Sequence, residues 1–381
     1  MFGIQWTCRE AGRFEREKDR RMRMEQYWEW LCSIPGLYRM QQEILLRCFR
    51  NPEGVWRSSG RELSRLADRG YTWAARVHRF QEETDPEKTV HRNREKGIQF
   101  ISCEHGDYPK RLSVLEDRPY GLFYKGELPE EEQKSVAIVG ARMCTRYGKA
   151  MAEQIAARIA DAGGQVISGA AYGIDGAAQW AALENGGKSY AVLGCGVDRC
   201  YPASHAMLLE RLEKNGGLIS EFPPGTRPLR HHFPVRNRII SGLADTVAVV
   251  EARRKSGSLI TAEYAAAQGK HVCAVPGRME DELSEGCNEL IAQGADVILS
   301  VDSMIRMIFP DYKKRKNELT GKTALAPSEK LVYSSLGLHP KSIWELEECT
   351  VMSLAELSGT LLSLEMKGLI RETERSYYVR Q

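Results

Sequence analysis

The stretch that decides the fold is residues 135–196, SVAIVGARMCTRYGKAMAEQIAARIADAGGQVISGAAYGIDGAAQWAALENGGKSYAVLGCG. It contains three short apolar runs, SVAIVG, QVISG and SYAVLG, separated by segments long enough to form a helix. Strands that are apolar almost throughout and alternate with helices are typical of a parallel sheet covered on both faces. Right-handed crossovers between such strands give a doubly wound arrangement. The stretch therefore predicts an α/β fold with an extended Rossmann-like doubly wound parallel sheet.

The same alternation continues to about residue 302 through the runs GLIS, TVAVVE, HVCAVPG and DVILS, so we expect the Rossmann-like domain to span 96–305. Upstream, apolar residues recur at helical spacing, which predicts a small helical N-terminal domain over 24–95. Residues 1–23 are charged and lack an apolar pattern, so we expect a disordered tail, with Met22 and Met24 as alternative starts to Met1.

After the sheet, residues 306–327 form a charged segment with Gly and Pro, which is typical of a linker. The last segment, 328–381, shows three helical patterns followed by two short alternating strands. That order predicts a C-terminal winged helix. A segment in the N-terminal domain, SIPGLYRM, is compatible with a DNA-binding helix–hairpin–helix or with plain helix packing.

Composition narrows the possible classes of protein. The 381 residues are 42% hydrophobic and 28% charged, which predicts a soluble chain of two or three domains. A net charge of +3 does not by itself indicate a nucleic-acid binder, so such a function must rest on local clusters of charge. The ten cysteines include no C-x-x-C pair, which favours reduced thiols over a zinc site. No run approaches the roughly 18 apolar residues of a membrane span, so we expect a cytoplasmic protein.

Small, hydroxylic and cationic residues follow the predicted strands one after another. Parallel sheets bind ligands at the carboxyl ends of their strands, where glycine allows close approach and helix N-termini favour anions. We therefore predict a phosphate-binding surface formed by Gly140, Arg142, Ser168, Gly169, Gly173, Arg236, Asn237, Arg238, Ser256, Gly257, Ser258 and Thr261.

Each of these residues also has a simpler explanation. A glycine after a strand often serves only a tight turn, arginines pair with nearby acids, and Asp175 near a helix start is typical of a cap. The adjacent His231 and His232 are expected at the surface, without a role in binding. Repetition of the pattern after successive strands favours phosphate binding, and Phe233 or Tyr201 could add a stacking contact with a base.

Signatures of catalysis and cofactor binding are absent from the sequence. The first turn, GARMCT, is not a G-x-G-x-x-G dinucleotide motif, and no G-x-x-x-x-G-K-[ST] loop, metal-ligand cluster or G-x-S-x-G elbow occurs. We expect no cofactor, no metal and no enzymatic activity. The alternative is a nucleotide phosphoribohydrolase on a related sheet, although VPGRMEDELSEG lacks the second glycine and the threonine of the P-G-G-x-G-T-x-x-E motif.

Several motifs together resemble the DprA/Smf family, the DNA-processing protein of bacterial transformation. They are VAIVGAR, ISGAAYGIDGAA, AVLGCGVDRCYP, LISEFPPG, FPVRNRIISGLAD, VVEARRKSGSLITAEYA and GCNELIAQGA. The resemblance implies a protein that binds and protects single-stranded DNA, dimerises through its Rossmann-like domain, displaces single-strand-binding protein and loads RecA recombinase. The family's G-S-R, R-N-R and S-G-S elements fall on residues 140–142, 236–238 and 256–258.

The sequence departs from the family pattern at a few positions. Ala141 stands in place of the usual serine, Tyr172 in place of a common arginine and Gln179 in place of a common histidine. In the winged helix, the expected recognition helix over 353–367 carries Glu356 and Glu365 against one lysine. A helix that reads DNA needs cations toward phosphates, so protein interaction or packing is favoured over duplex recognition for this module.

Overall fold

The computed structural model describes residues 22–312, 325–336, 340–350, 352–374 and 376–380. The described chain divides into two compact units, with the boundary after Tyr312. Most of the predicted N-terminal tail lies outside the described residues, but its last two positions, 22 and 23, are helical. No helix in the described ranges is long and apolar enough to cross a membrane.

From residue 22, where the description starts, the first unit shows six helices before the sheet. They are α1 over 22–32, α2 (Arg39–Phe49), α3 (Pro52–Trp56), α4 (Gly60–Asp68), α5 (Ala74–Glu83) and α6 (Pro86–Glu95). Their shared core includes the fully buried Trp30, Leu45 and Val77. Some of these helices begin with a polar cap. At the start of α4, the Ser59 hydroxyl accepts a hydrogen bond from the Glu62 backbone N–H, and the Ser59 backbone N–H donates to the Glu62 carboxylate.

A nine-stranded sheet follows. Its strands are β1 (Gln99–Ser102), β2 (Gly121–Gly126), β3 (Ser135–Val139), β4 (Gln165–Ser168), β5 (Lys188–Val192), β6 (Gly216–Ser220), β7 (Thr246–Val249), β8 (His271–Ala274) and β9 (Asp296–Val297). The order is β1-β2-β6-β5-β4-β3-β7-β8-β9, and β3 to β9 run parallel. All seven predicted strands are therefore confirmed. Strands β1 and β2 add an antiparallel edge that the sequence analysis missed.

Helices cover both faces of the sheet. The helices of this part are α7 (Lys110–Ser113), α8 (Arg146–Asp161), α9 (Ile174–Glu184), α10 (Ala206–Lys214), α11 (His232–Leu243), α12 (Gly257–Ala267), α13 (Glu282–Ala292) and α14 (Val301–Ile308). Alternate residues of β3 face opposite layers: Val139 packs in the cluster with Ile239 of α11, whereas Ile138 packs in the cluster with Ile155 of α8. The doubly wound prediction holds for the parallel strands.

The second unit contains α15 (Pro327–Ser335), β10 (Lys341–Ser342), α16 (Ile343–Thr350), α17 (Leu354–Met366), β11 (Ile370–Glu374) and β12 (Tyr377–Arg380). Its strands form an antiparallel sheet in the order β10-β12-β11, and Val332, Leu346 and Leu361 pack in its core. The first residues of the predicted linker, 306–308, are helical, because α14 continues to Ile308. Residues 313–324 of that linker lie outside the described residues.

Candidate nucleic-acid interface

The strand order reverses between β3 and β7, and a cavity opens at the carboxyl ends of these two strands. From β3 the chain moves through β4 and β5 to β6 on one side, and β7 then starts the other side. Such a reversal leaves a crevice because the flanking loops diverge. The cavity has a volume of about 540 Å³. Its lining includes eight of the twelve predicted residues, namely Gly140, Arg142, Arg236, Asn237, Ser256, Gly257, Ser258 and Thr261.

A smaller hollow adjoins this cavity and shares part of its lining. Arg142, Ala171, Tyr201 and Phe233 line both, and the predicted residue Gly169 lines only the smaller one. The two openings therefore form one continuous concave surface along the ends of β3, β4 and β5.

The N-terminus of α12 supplies backbone donors to the cavity. Ser256 is the N-cap, and its Oγ accepts a hydrogen bond from the backbone N–H of Ser258 and lies 2.7 Å from the Ser258 Oγ. A Cβ at Gly257 would meet no atom within 4 Å, so the backbone here is open to a ligand. The first N–H groups of a helix and its dipole favour an anion, which makes this the expected place for a phosphate.

Arg236 forms the floor of the cavity rather than its mouth. The side chain is buried, and its Nη1 donates to the carbonyl oxygens of Gly169, at 3.0 Å, and Val192. Burial lowers the pKa of Arg236 to about 10, while the nearby Asp175 carboxylate opposes that shift. Burial likewise raises the pKa of Asp175, which accepts a hydrogen bond from the Gly169 backbone. The guanidinium stays charged at neutral pH and is fixed in position.

Arg142 is exposed at the mouth of the cavity, beside two aromatic rings. Its guanidinium carbon lies 5.4 Å from the centroid of the Phe233 ring, and that of Arg236 lies 5.7 Å from the same centroid. The Tyr201 ring lies 5.5 Å from Phe233. Gly194 makes room for Phe233, because a Cβ there would lie 2.9 Å from the ring. Cations and rings in this arrangement suit a phosphate and an unstacked base.

Three of the predicted residues do not line either opening. Arg238 forms ion pairs with Glu221 at 2.7 Å and Asp117 at 3.2 Å, and its side chain is only 5% exposed. Although burial alone would lower the pKa of Arg238, these carboxylates raise it. Ser168 is buried and donates to the Ile138 carbonyl at 2.6 Å. Both side chains hold the scaffold together, so the prediction of direct contacts through them is not supported.

Gly173 is the third predicted residue that lines neither opening, and it affects the site through its backbone. It has a φ of +75° at the N-cap of α9, and a Cβ there would lie 2.2 Å from the carbonyl oxygen of Ala141. Only glycine adopts this conformation readily and leaves space for so close a neighbour. The residue therefore lets the Gly140–Arg142 loop pack against the start of α9.

The expectation that both histidines lie at the surface is wrong for His232. This residue is buried at the start of α11, and its ring stacks on Phe222 with centroids 4.1 Å apart. Its Nδ1 lies 3.1 Å from the Gly194 carbonyl oxygen and its Nε2 lies 3.0 Å from the Tyr38 hydroxyl. The segment HFPVRNR forms the first part of α11. Its first residue, His232, contacts both the loop after β5 and the N-terminal helices.

Sequence reasoning missed two residues that matter for the site. Arg230 lines the cavity from the segment before α11. Glu251 is buried after β7, where it accepts hydrogen bonds from the backbone N–H and the hydroxyl of Thr145, the N-cap of α8. The sequence signal for Glu251 was its position directly after the apolar strand TVAVV. An acid in so apolar a context is expected to be buried, and a buried carboxylate needs hydrogen-bond donors nearby.

Many exposed cations follow the parallel strands, although both edges of the sheet carry charges of both signs. Exposed cations occupy the loops at the carboxyl edge of the parallel strands: Arg142, Arg146, Arg199, Arg227, Arg230, Arg253, Arg254, Lys255 and Arg278. Two of them, Arg253 and Arg254, pair with acids of α13. The opposite edge carries the acids Glu127, Glu130, Glu131, Glu132, Asp245 and Asp296 together with the cations Lys134, Lys188 and Lys270.

Comparison with known families identifies the chain. Residues 99–309, which include the whole nine-stranded sheet, match the model of DNA recombination-mediator protein A. The chain belongs to this family. The family's description and the names of the relatives below are those of DNA-processing proteins, not of an enzyme class.

Relatives extend the match beyond the sheet. Protein Smf of Synechocystis is 29% identical over 93% of this chain and 98% of its own length. The DNA processing protein DprA of Streptococcus pneumoniae is 45% identical over 51% of this chain and 68% of its own. The crystal structure of the S. pneumoniae protein aligns with a TM-score of 0.63 at 35% identity, over 74% of this chain and 98% of that one.

A second structure concerns DNA directly. DNA processing protein A from Helicobacter pylori, described for its single-stranded DNA binding mode, aligns with a TM-score of 0.51 at 30% identity. The alignment covers 56% of this chain and 98% of that one.

Proposed function

We propose that this protein binds single-stranded DNA along the carboxyl edge of its sheet, without regard to base sequence. The observation that carries the proposal is the position of exposed Arg142 over the Phe233 ring, beside the open N-terminus of α12. The cation and the helix N-terminus suit consecutive phosphates, and the ring suits the face of a base. The reported single-strand binding of the H. pylori protein supports the same assignment.

The geometry favours single strands over duplexes. Phe233 and Tyr201 lie in the concave lining, where a base reaches them only if it is free of its neighbours in a stack. A duplex presents its phosphates but keeps its bases paired and stacked. Stacking on aromatic side chains contributes about 1–3 kcal/mol per base, which a duplex would forgo.

We further propose the role that family membership implies: protection of incoming single strands during transformation, displacement of single-strand-binding protein and loading of RecA. Dimerisation through the Rossmann-like domain belongs to the same proposal. The bound strand must stay accessible to the recombinase, and an open groove at one edge of the sheet would allow that.

We infer that residues 24–95 act as a helical domain and residues 328–381 as a winged helix that contacts protein. In α17, the exposed side chains include Leu354, Leu362 and Met366, and the flanking charges Glu356 and Glu365 are acidic. An apolar surface with acidic neighbours suits a protein partner, because phosphates would be repelled.

The test is a competition experiment. A fluorescently labelled oligothymidylate is bound to the protein and followed by anisotropy while unlabelled single strand, duplex of the same length or free nucleotide is added. We expect only the single strand to displace the label at comparable concentration. Equal displacement by duplex would contradict the single-strand assignment, and displacement by free nucleotide at low concentration would instead favour the phosphoribohydrolase alternative.

A further inference from the structure

The first observation concerns the contact between the N-terminal helices and the rim of the cavity. Tyr38 lies at the turn between α1 and α2, and its hydroxyl is 3.0 Å from Nε2 of the buried His232. Its ring packs edge-on against His231 and His232, with centroid distances of 6.2 and 5.6 Å. The side chain of Tyr38 is nevertheless 37% exposed. An aromatic ring is thus held firmly at the surface, next to the first turn of the helix that carries Phe233.

Two exposed cations, Arg230 and Arg76, come from segments that adjoin this surface. Arg230, which directly precedes His231, lines the cavity. The exposed Arg76 of α5 donates from Nη1 to the Gly36 carbonyl at 3.0 Å, so its guanidinium lies against the turn between α1 and α2 that carries Tyr38. Arg39 does not contribute a comparable charge, because it pairs with Glu43 and donates to the carbonyls of Glu116 and Arg118.

We propose that the binding groove continues out of the cavity across Arg230, His231 and Tyr38 to Arg76, and that a longer single strand of DNA follows this path. The inference rests on the proposed function. The path would combine two cations with two rings, the phosphate contacts and stacking platforms used for single strands. The turn between α1 and α2 is then a nucleic-acid contact of the N-terminal helices and not only a packing element.

The experiment compares two lengths of oligothymidylate, about four and about sixteen nucleotides, the range over which single-strand sites vary. The short strand fills only the cavity, whereas the long strand also reaches Arg76. For Tyr38→Ala and Arg76→Ala we expect unchanged affinity for the short strand and about a fivefold or greater loss for the long one. Tyr38→Phe keeps the ring, so it should retain the affinity of the original protein for both lengths.

Lys134→Ala serves as the control for charge, because Lys134 precedes β3 at the opposite edge of the sheet. The groove extension is overturned if both lengths lose affinity equally in Tyr38→Ala, since Tyr38 would then act only by positioning α11. It is also overturned if neither length changes in either variant. If the unaltered protein binds neither strand, the proposed function itself has failed.

Discussion

At the scale of single residues, the structure separates arginines that the sequence analysis had grouped together. Arg142 is exposed at the mouth of the cavity, Arg236 is buried in its floor, and Arg238 is paired with acids away from it. The two arginines of the sequence motif R-N-R, Arg236 and Arg238, therefore have different structural roles. On a helix, residues two apart point in directions about 200° apart, so 236 and 238 cannot share one contact surface.

For Arg142→Ala we expect weaker binding of single strands, by a similar factor for all base sequences, because the lost contact is to a phosphate. The slope of log affinity against log salt concentration should become less steep by about 0.7 for one lost contact. Anisotropy titrations at several salt concentrations measure both effects. Lys134→Ala removes an equal charge at the opposite edge and should change neither. Identical behaviour of the two variants would show that Arg142 acts only through net charge.

Arg238→Ala tests a structural role. Removal of this side chain leaves the mostly buried Glu221 carboxylate without its ion-pair partner. Breaking a buried pair in this way costs about 3 kcal/mol or more of the free energy of unfolding. Chemical denaturation should report that loss, while folded Arg238→Ala protein binds single strands normally. A stable variant with weakened DNA binding would instead place Arg238 in the interface.

At the scale of elements, the site depends on how loops and helix starts fit together. Gly173 lets the loop after β3 pack against the start of α9, and Glu251 fixes the N-cap of α8 through Thr145. Both contacts lie beside the cavity without forming its binding groups. Their effect on binding is therefore indirect, through the position of residues 140–142.

Gly173→Ala should displace the loop that carries Arg142. The substitution puts a Cβ against the carbonyl oxygens of Ala141 and Arg142 at a positive φ, which costs about 1 kcal/mol or more even before the clash is relieved. We expect reduced thermal stability together with weaker single-strand binding. Gly186→Ala is the matched control, since Gly186 also has a positive φ but no atom near its Cβ position. Equal loss of DNA binding in both variants would exclude a specific role for the close approach at Gly173.

In the second unit, one carboxylate connects two helices. Glu329 of α15 accepts hydrogen bonds from Ser363 and Lys367 at the end of α17, and these, with the Ala326 N–H, lower the pKa of Glu329 from its ordinary 4.5 to about 2. A carboxyl whose pKa is lower in the folded state stabilises the fold above pH 4.5, and that stabilisation is lost as pH falls from 4.5 toward 2.

We therefore expect Glu329→Gln to unfold more readily than the unaltered protein at neutral pH, and the difference to shrink as the pH falls through this window. Denaturation of the second unit followed by circular dichroism at several pH values measures it. Glu347→Gln, on the neighbouring helix α16, is a control in which the difference should stay small. A stability difference independent of pH would show that charge on Glu329 is not what stabilises the contact.

At the scale of the whole molecule, the described chain has two compact units. The cavity is lined entirely by residues of the first unit. Deletion of residues 313–381 should therefore leave the affinity for single strands unchanged and remove one cooperative transition from thermal unfolding. Calorimetry and anisotropy on the shortened and full chains test both points. A large loss of affinity would place part of the DNA contact in the second unit.

The sequence by itself determined the parallel sheet, because near-continuous apolar strands alternating with helices have few other ways to bury their surface. It also predicted eight of the cavity residues, since the carboxyl ends of parallel strands necessarily meet at one edge. The antiparallel strands β1 and β2 were not predicted, because QFIS and GLFYKG are short and show no distinctive hydrophobic period.

Only the tertiary structure decided which polar side chains remain available to a ligand. Ser168 and His232 lie at the ends of their elements, and Arg236 and Arg238 lie in the middle of α11. The partners of all four come from other segments of the chain: Ile138, Tyr38, Gly169 and Glu221. Local pattern cannot show whether a charge will be satisfied by such a partner, because burial and pairing arise from packing between elements. The same packing brought Tyr38 of the segment SIPGLYRM next to His231 and His232, a contact that the sequence did not predict.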